Sequence, residues 1–396
     1  MKIPAKPGAQ SSLFAPAPLP IAALDDAGRL ACLRLIRSEN VGPVTFRELI
    51  NTFGGAQAAL DALPGLARNA GRKRPLRLCP RDLAEHELEA AQACGSQPIF
   101  TIEPGFPRLL AEVEVPPPML YVKGNVSILA GPMIAIVGSR DCSAAGTKLT
   151  ALFASDLGRA GYVVASGLAR GIDGAAHEAS LETGTVAVLA GGVDQIYPPE
   201  HAGLYARIAE RGCLITEMSP GYNARAQDFP RRNRIISGVS LGVIIVEAAK
   251  RSGTLVTARY AGEQGREVFA VPGHPLDPRA EGTNALLKDG ATLVTCARDV
   301  IEVLGPITGD APVRVAEPAQ PAPVPVRCSP VVGPLDEGEL ARIAQVLGPH
   351  PIDIDAIVRA TGLPIRAIQI ALIELDLSGR IERHGAQLVS LRPSRD

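Results

Sequence analysis

The stretch Ile134-Ala135-Ile136-Val137-Gly138-Ser139-Arg140 decides the fold of the central part of this chain, because a short apolar run ends at a glycine turn. Such a run is typical of a strand that is buried in a parallel sheet. Comparable runs recur with helical stretches between them: Met133 to Val137, Tyr162 to Ala165, Val186 to Leu189, Cys213 to Thr216, Val239 to Val246 and Glu267 to Val271. This alternation predicts an α/β fold with a doubly wound, Rossmann-like parallel sheet.

Two stretches of unusual composition divide the chain into its predicted folded parts. Residues 1–20 are rich in Ala and Pro and predict a disordered tail, and the Pro- and Ala-rich residues 306–334 predict a linker. Helical periodicity over residues 21–97 predicts a small helical domain of the SAM-like or helix-hairpin-helix type, which precedes a Rossmann-like domain over 98–305. Residues 335–396 follow the order helix, helix, turn, helix and two strands, which predicts a winged helix.

The composition indicates a globular protein of several domains, with 396 residues of which 46% are hydrophobic. The net charge is only -1, so a polyanionic partner would have to meet a local basic patch. The seven cysteines form no CxxC pair and no cluster at metal-ligand spacing, which favours reduced thiols, a cytoplasmic location and no bound metal. No apolar run reaches about 18 residues, so we expect neither export nor a membrane partner.

The turn Gly138-Ser139-Arg140 predicts an anion site at the rim of the sheet. Ligands bind at the carboxyl ends of parallel strands, where the N-terminus of the next helix, here from about Ser143, presents free N–H groups. A G-x-G-x-x-G motif is absent because Arg140 stands at its second glycine, where it would block the close approach of a pyrophosphate, so we expect no dinucleotide. We expect no other cofactor either. Arg140 suggests instead an arginine that contacts a phosphate; the alternative is a plain surface arginine.

The glycine-rich segment Ser166 to His177 follows the next predicted strand and permits close approach of a ligand. Asp173 is placed to cap the following helix, and it lies four residues before His177, so the two side chains could pair. A catalytic dyad is conceivable, but no serine or cysteine nucleophile stands nearby. We therefore favour a structural pair that orders the loop and expect no catalytic residue.

The segment Phe229 to Gly238 contains three arginines, an asparagine and an aromatic ring in the lead-in to an apolar strand. Arginine binds phosphate oxygens bidentately, and a phenylalanine offers a stacking face to any base, which indicates a nucleic-acid contact. The alternative is that Arg232 and Arg234 only form ion pairs that fix a loop to the sheet. Ser252 and Thr254 could likewise hold an anion at a helix start, or act as an ordinary N-cap.

A series of motifs then matches one known family in order. They are Val137-Gly138-Ser139-Arg140, Ser166-Gly-x-Ala169-x-Gly171-Ile-Asp173-x-x-Ala176-His177, Tyr197-Pro198, Phe229-Pro-x-Arg232-Asn233-Arg234, Val246-Glu247-Ala248, Ser252-Gly253-Thr254-Leu-x-Thr257-Ala258, Val271-Pro272-Gly273 and Gly282-Thr-Asn284-x-Leu286. Over about residues 100 to 295 the chain resembles the DNA-processing protein A (DprA/Smf) family. The resemblance implies a protein that binds incoming single-stranded DNA in natural transformation, protects it and loads a RecA-type recombinase.

The resemblance also implies site residues. A DNA pocket would lie on Ser139, Arg140, Gly167, Ala169, Gly171, Phe229, Arg232 and Asn233, and we add Arg225, Ser252 and Thr254 from the local pattern. One departure is that many members have a lysine three residues before the phenylalanine, where this chain has Ala226 beside Arg225. The family further implies a homodimer, which we place around Leu286, Leu287 and Leu293; the alternative is that these leucines belong to the core.

Two other classes of protein compete with this interpretation. The chain is also similar to lysine-decarboxylase-like (LOG) nucleotide phosphoribohydrolases, but Thr257 stands where those enzymes need a catalytic glutamate, which favours a binding protein. A transcription factor would use the winged helix alone, yet residues 335–396 hold nine acidic side chains against seven arginines, a poor balance for duplex DNA. The N-terminal Val41-Gly42-Pro43 turn could contact phosphate as a helix-hairpin-helix, although a plain turn is favoured.

Overall fold

The computed structural model describes residues 23–69, 74–308 and 337–392. The predicted N-terminal tail therefore lies outside the described residues, as does the predicted linker except for its first three positions. These three belong to a helix, which corrects the predicted start of the linker.

Four helices form the N-terminal domain. They are α1 (Asp26–Arg37), α2 (Pro43–Phe53), α3 (Ala56–Asn69) and α4 (Arg81–Ala93). The Asp25 carboxylate caps α1 by accepting from the Gly28 N–H at 2.7 Å, and Gly54 ends α2 in the left-handed region at φ 77°. The apolar faces of the helices are buried against one another in a single cluster, which also includes the first two strands of the sheet.

The central domain is built on one nine-stranded sheet. Its elements in chain order are β1 (Gln97–Phe100), α5 (Arg108–Ala111), β2 (Met119–Gly124), β3 (Met133–Val137), α6 (Ala144–Arg159), β4 (Val163–Ser166), α7 (Ile172–Ser180), β5 (Thr185–Val188), α8 (Ala202–Arg211), β6 (Cys213–Thr216), α9 (Asp228–Gly238), β7 (Gly242–Ile245), α10 (Thr254–Glu263), β8 (Glu267–Ala270), α11 (Glu281–Lys288), β9 (Thr292–Leu293) and α12 (Ala297–Thr308). The strand order is β1-β2-β6-β5-β4-β3-β7-β8-β9.

The sheet is parallel from β6 to β9, which confirms the predicted doubly wound α/β fold, and β1 and β2 extend it with antiparallel pairing. Every residue of β3 is buried because helices cover both faces, and this explains the unbroken apolar run that the sequence shows. The chain proceeds from β3 to β6 on one side and then returns to place β7 on the other side of β3. The loops after β3 and β7 therefore diverge at a topological switch point, where such sheets bind ligands.

One prediction about this sheet was wrong. The predicted strand Val239 to Val246 is shorter in the structure, where it is β7, and the segment Phe229 to Gly238, predicted as its lead-in, lies in α9. Ile235, Ile236 and Val239 are spaced so that a helix buries all three against the sheet, whereas a strand would have turned alternate ones outward. A short apolar run does not separate these two cases by periodicity alone.

The C-terminal domain confirms the predicted winged helix. It contains α13 (Glu337–Val346), β10 (Ile352–Asp353), α14 (Ile354–Thr361), α15 (Ile365–Leu377), β11 (Ile381–His384) and β12 (Leu388–Leu391), with the strands in the order β10-β12-β11. Over the described residues no single helix is long and apolar enough to cross a membrane; α14 and α15 pass that test only as a bent pair, by length and composition.

Candidate functional site

A cavity of about 130 Å³ lies beyond the carboxyl ends of β4 and β5. We call it the edge pocket. Its lining residues are Gly167, Ala169, Leu189, Ala190, Gly191, Gln195, Ile196, Tyr197, Asn223, Ala224, Phe229 and Arg232. Four of the predicted site residues therefore meet in one place, namely Gly167, Ala169, Phe229 and Arg232.

Two glycines allow the loops at this pocket to approach one another. Gly171 has φ 74°, and a Cβ atom there would lie 2.4 Å from the Ser139 carbonyl oxygen and 2.6 Å from that of Arg140. The loop after β3 thus passes directly over the start of α7, and the Ile172 N–H donates to the Ser139 carbonyl at 3.2 Å. A Cβ atom at Gly167 would lie 2.7 Å from the Arg232 guanidinium. Gly171 requires glycine for its positive φ as well as for packing, whereas Gly167 requires it for packing alone.

Aromatic and cationic side chains stand together at the mouth of the pocket. The Phe229 and Tyr197 rings lie 5.1 Å apart between centroids at 56°, and the Arg140 guanidinium lies 5.6 Å from the Phe229 centroid. Tyr197 is 50% exposed. Our prediction of site residues missed Tyr197, although it stands in the Tyr197-Pro198 motif. An aromatic ring that remains half exposed beside another ring is suited to stack on a flat apolar ligand.

Arg232 differs from Arg140 in its surroundings. Arg140 is exposed, whereas Arg232 is buried and its Nη1 donates to the carbonyls of Gly167, at 2.7 Å, and Val188. Burial lowers the Arg232 pKa to about 10, against a smaller opposing effect of Asp173. The Arg232 Nη1 thus joins α9 to the ends of β4 and β5, and the predicted phosphate contact of this arginine stays a prediction. Arg234 forms an ion pair with Glu217, as the structural alternative predicted.

Asp173 and His177 do not pair with each other, although they are buried together in α7. The Asp173 carboxylate accepts from the N–H groups of Gly167, at 3.2 Å, and Ala169, at 3.4 Å, so it orders the preceding loop, and Gly171 occupies the N-cap position predicted for it. His177 accepts from the Leu168 N–H at 3.3 Å and contacts the Thr185 hydroxyl at 2.7 Å. Burial, with the charges of His201 and Arg232, lowers the His177 pKa to about 3, so the imidazole is neutral.

The N-terminus of α6 is occupied by a carboxylate of this chain. Glu247 accepts from the Ser143 N–H at 2.9 Å and from its hydroxyl at 2.5 Å, and that hydroxyl caps α6 at Gly146. A Cβ atom at Gly146 would lie 2.6 Å from Glu247 Oε1, so the carboxylate is closely packed. The predicted phosphate site at this helix start is therefore filled by Glu247. The phosphate contact predicted for the exposed Arg140 stays a prediction.

The loop before α10 is tied to the turn after β3. The Thr254 hydroxyl donates to the Gly138 carbonyl at 3.0 Å, and the Ser252 hydroxyl accepts from the Thr254 N–H at 3.2 Å. The N-cap position of α10 is Gly253, so Ser252 forms a local turn and not the predicted N-cap. The Asn233 amide contacts the Gly253 carbonyl at 3.4 Å. Ser252, Thr254 and Asn233 therefore brace the rim of the site, and their predicted contacts with a bound anion stay a prediction.

Several exposed cations surround this rim. They are Arg140, Arg225, Arg231, Lys250 and Arg251, and among the described residues none of them pairs with a carboxylate. The buried Asp228 carboxylate fixes the loop that contains Arg225 by accepting from its N–H at 2.8 Å and from the Tyr222 hydroxyl at 2.9 Å. The rim thus has a local positive charge although the whole chain is close to neutral.

The predicted dimer leucines lie far along the sheet, on α11 and β9. Leu286 is 4% exposed and belongs to the sheet core, Leu287 packs partly against that core, and Leu293 is 53% exposed on the edge strand. Burial of Leu286 agrees with the alternative that it is a core residue, whereas Leu293 is free to contact another molecule. Within the described ranges no group of side chains forms a metal site.

The fold and the site define a class of protein: a nucleotide-type α/β sheet whose edge pocket combines aromatic rings with cations. The family model of the DNA recombination-mediator protein A matches residues 97–305, and models of its N-terminal HHH domain and its winged helix domain match 26–90 and 316–387. The chain therefore belongs to the DNA recombination-mediator protein A (DprA/Smf) family, which confirms the resemblance.

Known relatives agree with this assignment. Protein Smf of Escherichia coli is 41% identical over 72% of this chain and 75% of its own length. The DNA processing protein DprA of Streptococcus pneumoniae is 42% identical over 52% of this chain and 73% of its own length. The solved structure of DprA from Streptococcus pneumoniae superimposes with a TM-score of 0.53 at 37% identity, over 56% of this chain and 77% of that one.

Proposed function

We propose that this protein binds single-stranded DNA at the edge pocket, with one base against Phe229 and Tyr197 and the adjacent phosphates at Arg140 and the neighbouring exposed cations. The observation that carries this proposal is the contact of Phe229 with an aromatic ring and with the free Arg140 guanidinium at one pocket mouth. Ring stacking and phosphate neutralisation are common to all bases, so the expected binding has little sequence preference. In a duplex the base faces are stacked on one another, so a base can lie against the two rings only after it leaves the stack, which favours single strands.

The proposal is tested by fluorescence anisotropy with a labelled oligonucleotide, its duplex and an RNA of the same sequence, titrated across salt concentrations. We expect the single strand to bind more tightly than the duplex at every salt concentration. Each phosphate contact contributes about 0.7 to the slope of log affinity against log salt on a single strand. Equal affinity for the duplex at matched salt would contradict the preference.

We further propose a place for this binding in DNA processing during natural transformation. The strand held at the edge pocket would be protected and passed to a RecA-type recombinase, a role that rests on the family and on its description as a recombination mediator. A strand-exchange assay with a RecA-type protein, on DNA coated with a single-strand-binding protein, tests this role. No acceleration by the present protein would overturn it.

We propose that the site does not catalyse hydrolysis of nucleotides. Thr257, at the position of the catalytic glutamate of the LOG enzymes, is buried and 1% exposed, and Glu247 is bound to Ser143 at the start of α6. No carboxylate in the described pocket lining is placed for acid-base catalysis. Release of free base from nucleoside monophosphates by repurified protein, lost in an Arg140 variant, would contradict this.

A further inference from the structure

The winged helix domain is attached to the N-terminal domain through its third helix, α15. Ile370, Ile373 and Leu377, which we call the docking face, follow one stripe of the helix and are buried in the core cluster of the N-terminal domain. The opposite stripe, with Ile368, Leu372 and Leu375, lies in the core of the winged helix itself. The helix is therefore buried on both sides.

Polar contacts surround the docking face and fix the orientation of α15 against the N-terminal domain. The Arg383 guanidinium binds both carboxylate oxygens of Glu48, at 3.0 and 2.7 Å, and also Asp376 at 3.1 Å, and these side chains are 9%, 15% and 17% exposed. Thr45 donates to Asp376 at 2.7 Å, and the Asn40 amide donates to the Leu377 carbonyl at 2.8 Å. A bidentate, largely buried arginine–carboxylate pair gives directional specificity that an exposed pair lacks.

The wing is held as well. The turn between β11 and β12 places the Ala386 N–H 2.8 Å from a Glu114 carboxylate oxygen. A Cβ atom at Gly385 would lie 2.3 Å from the same carboxylate, so the turn is closely packed against the sheet domain. In winged helix proteins that read duplex DNA, the third helix enters the major groove. Here that helix, and the wing with it, contact the same chain.

We infer that the docking face of α15 is a protein-binding surface whose partner is the chain's own α2 and α3, and that the winged helix recognises protein and not duplex DNA. The side chains of α15 support this assignment, because the helix has a single arginine, Arg366, against the acidic Glu374 and Asp376. A helix that reads the major groove presents cations and amides to base edges and phosphates. The outward stripe of α15 presents isoleucine and leucine instead.

Two variants of the full chain open the contact. Ile373→Lys places a charge in the docking face without changing a residue of the winged-helix core. Arg383→Ala removes the bidentate ion pair with Glu48. Hydrogen exchange measured along the chain should show α2 amides exchanging at least about tenfold faster in both variants, because a released helix opens locally more often. Arg359→Ala, which removes an exposed arginine of α14, is the matched control and should leave α2 unchanged.

Binding of a labelled duplex by the same variants completes the test. The affinity should stay within about twofold of the wild type, since the released helix offers phosphates more carboxylates than cations. A gain of fivefold or more would show that the contact covers a DNA-reading helix, which overturns the inference. Unchanged α2 exchange in both variants, or α2 protection in the wild type that grows with protein concentration, would overturn the intrachain contact itself.

Discussion

At the scale of single residues, Arg232 is buried in the lining of the edge pocket whereas Arg140 is exposed at its mouth, although the sequence presents both as phosphate ligands. We predict that Arg140→Ala weakens binding of a single strand and lowers the salt slope by about 0.7, with an unchanged melting temperature, because an exposed guanidinium neutralises one phosphate. Arg159→Ala, on the exposed end of α6, is the control. A salt slope in Arg140→Ala equal to that of the wild type would show that Arg140 does not contact a phosphate.

Arg232→Ala should act through stability. The substitution leaves the buried Gly167 and Val188 carbonyls without their donor, which costs about 1–3 kcal/mol. We therefore expect a lower free energy of unfolding in urea, and loss of DNA binding only as a consequence of the disordered rim. Undiminished stability together with weakened binding would instead favour the phosphate contact that the sequence predicted.

A substitution of Gly171 tests directly whether the loop after β3 passes over the start of α7. Gly171→Ala combines a positive φ with a Cβ atom 2.4 Å from the Ser139 carbonyl oxygen, whereas Gly161→Ala has φ 92° with open space around the new atom. The control should lose about 1 kcal/mol of stability through strain alone. Gly171→Ala should lose more and should also displace Arg140, so single-strand affinity falls. Equal losses of stability in Gly171→Ala and Gly161→Ala, with no change in DNA binding, would contradict this close approach of the two loops.

His177 gives the fold a pH dependence. Its pKa falls from 6.5 to about 3 on folding, so the unfolded chain binds one more proton between these values and stability is lost as pH falls from about 6.5 towards 3. Urea unfolding should show this loss at about 1.4 kcal/mol per pH unit for one proton. His177→Gln should flatten the slope in that range, whereas His86→Gln, on the surface of α4, should not. An unchanged slope in His177→Gln would show that His177 is not the group responsible.

At the scale of elements, six strands and the winged helix could be predicted from the sequence because buried parallel strands and helix–turn–helix punctuation leave strong local patterns. The helix α9 could not be predicted from the sequence. Its arginines suggested an exposed loop, and its isoleucines fit a strand or a helix equally well. Arg232 is buried because the residues that accept its hydrogen bonds, Gly167 after β4 and Val188 at the end of β5, are distant in the sequence. Tyr197 was missed for a related reason: its partner Phe229 is 32 positions further along the chain. The contact of the Glu247 carboxylate with the N-terminus of α6 is likewise a long-range contact that no local sequence pattern encodes.

At the scale of the whole molecule, we propose a dimer through the exposed edge of the sheet. Leu293 on β9 is 53% exposed, and the edge strand β9 has an unpaired side among the described strands. Two joined pockets would hold one strand with an increased effective concentration. Leu293→Asp should stay folded, become monomeric in light scattering and bind long DNA more weakly. Wild type that scatters as a monomer at micromolar concentration would exclude the dimer.

The central claim is that a base stacks at Phe229 and Tyr197, and an abasic strand tests it most directly. Anisotropy should compare an oligothymidine with an abasic oligomer of the same length and phosphate number. The wild type should prefer the strand with bases by about 1–3 kcal/mol per stacked base. Phe229→Ala should lose most of that preference while it keeps the salt slope. A wild type that binds the abasic strand as tightly as oligothymidine would contradict the account.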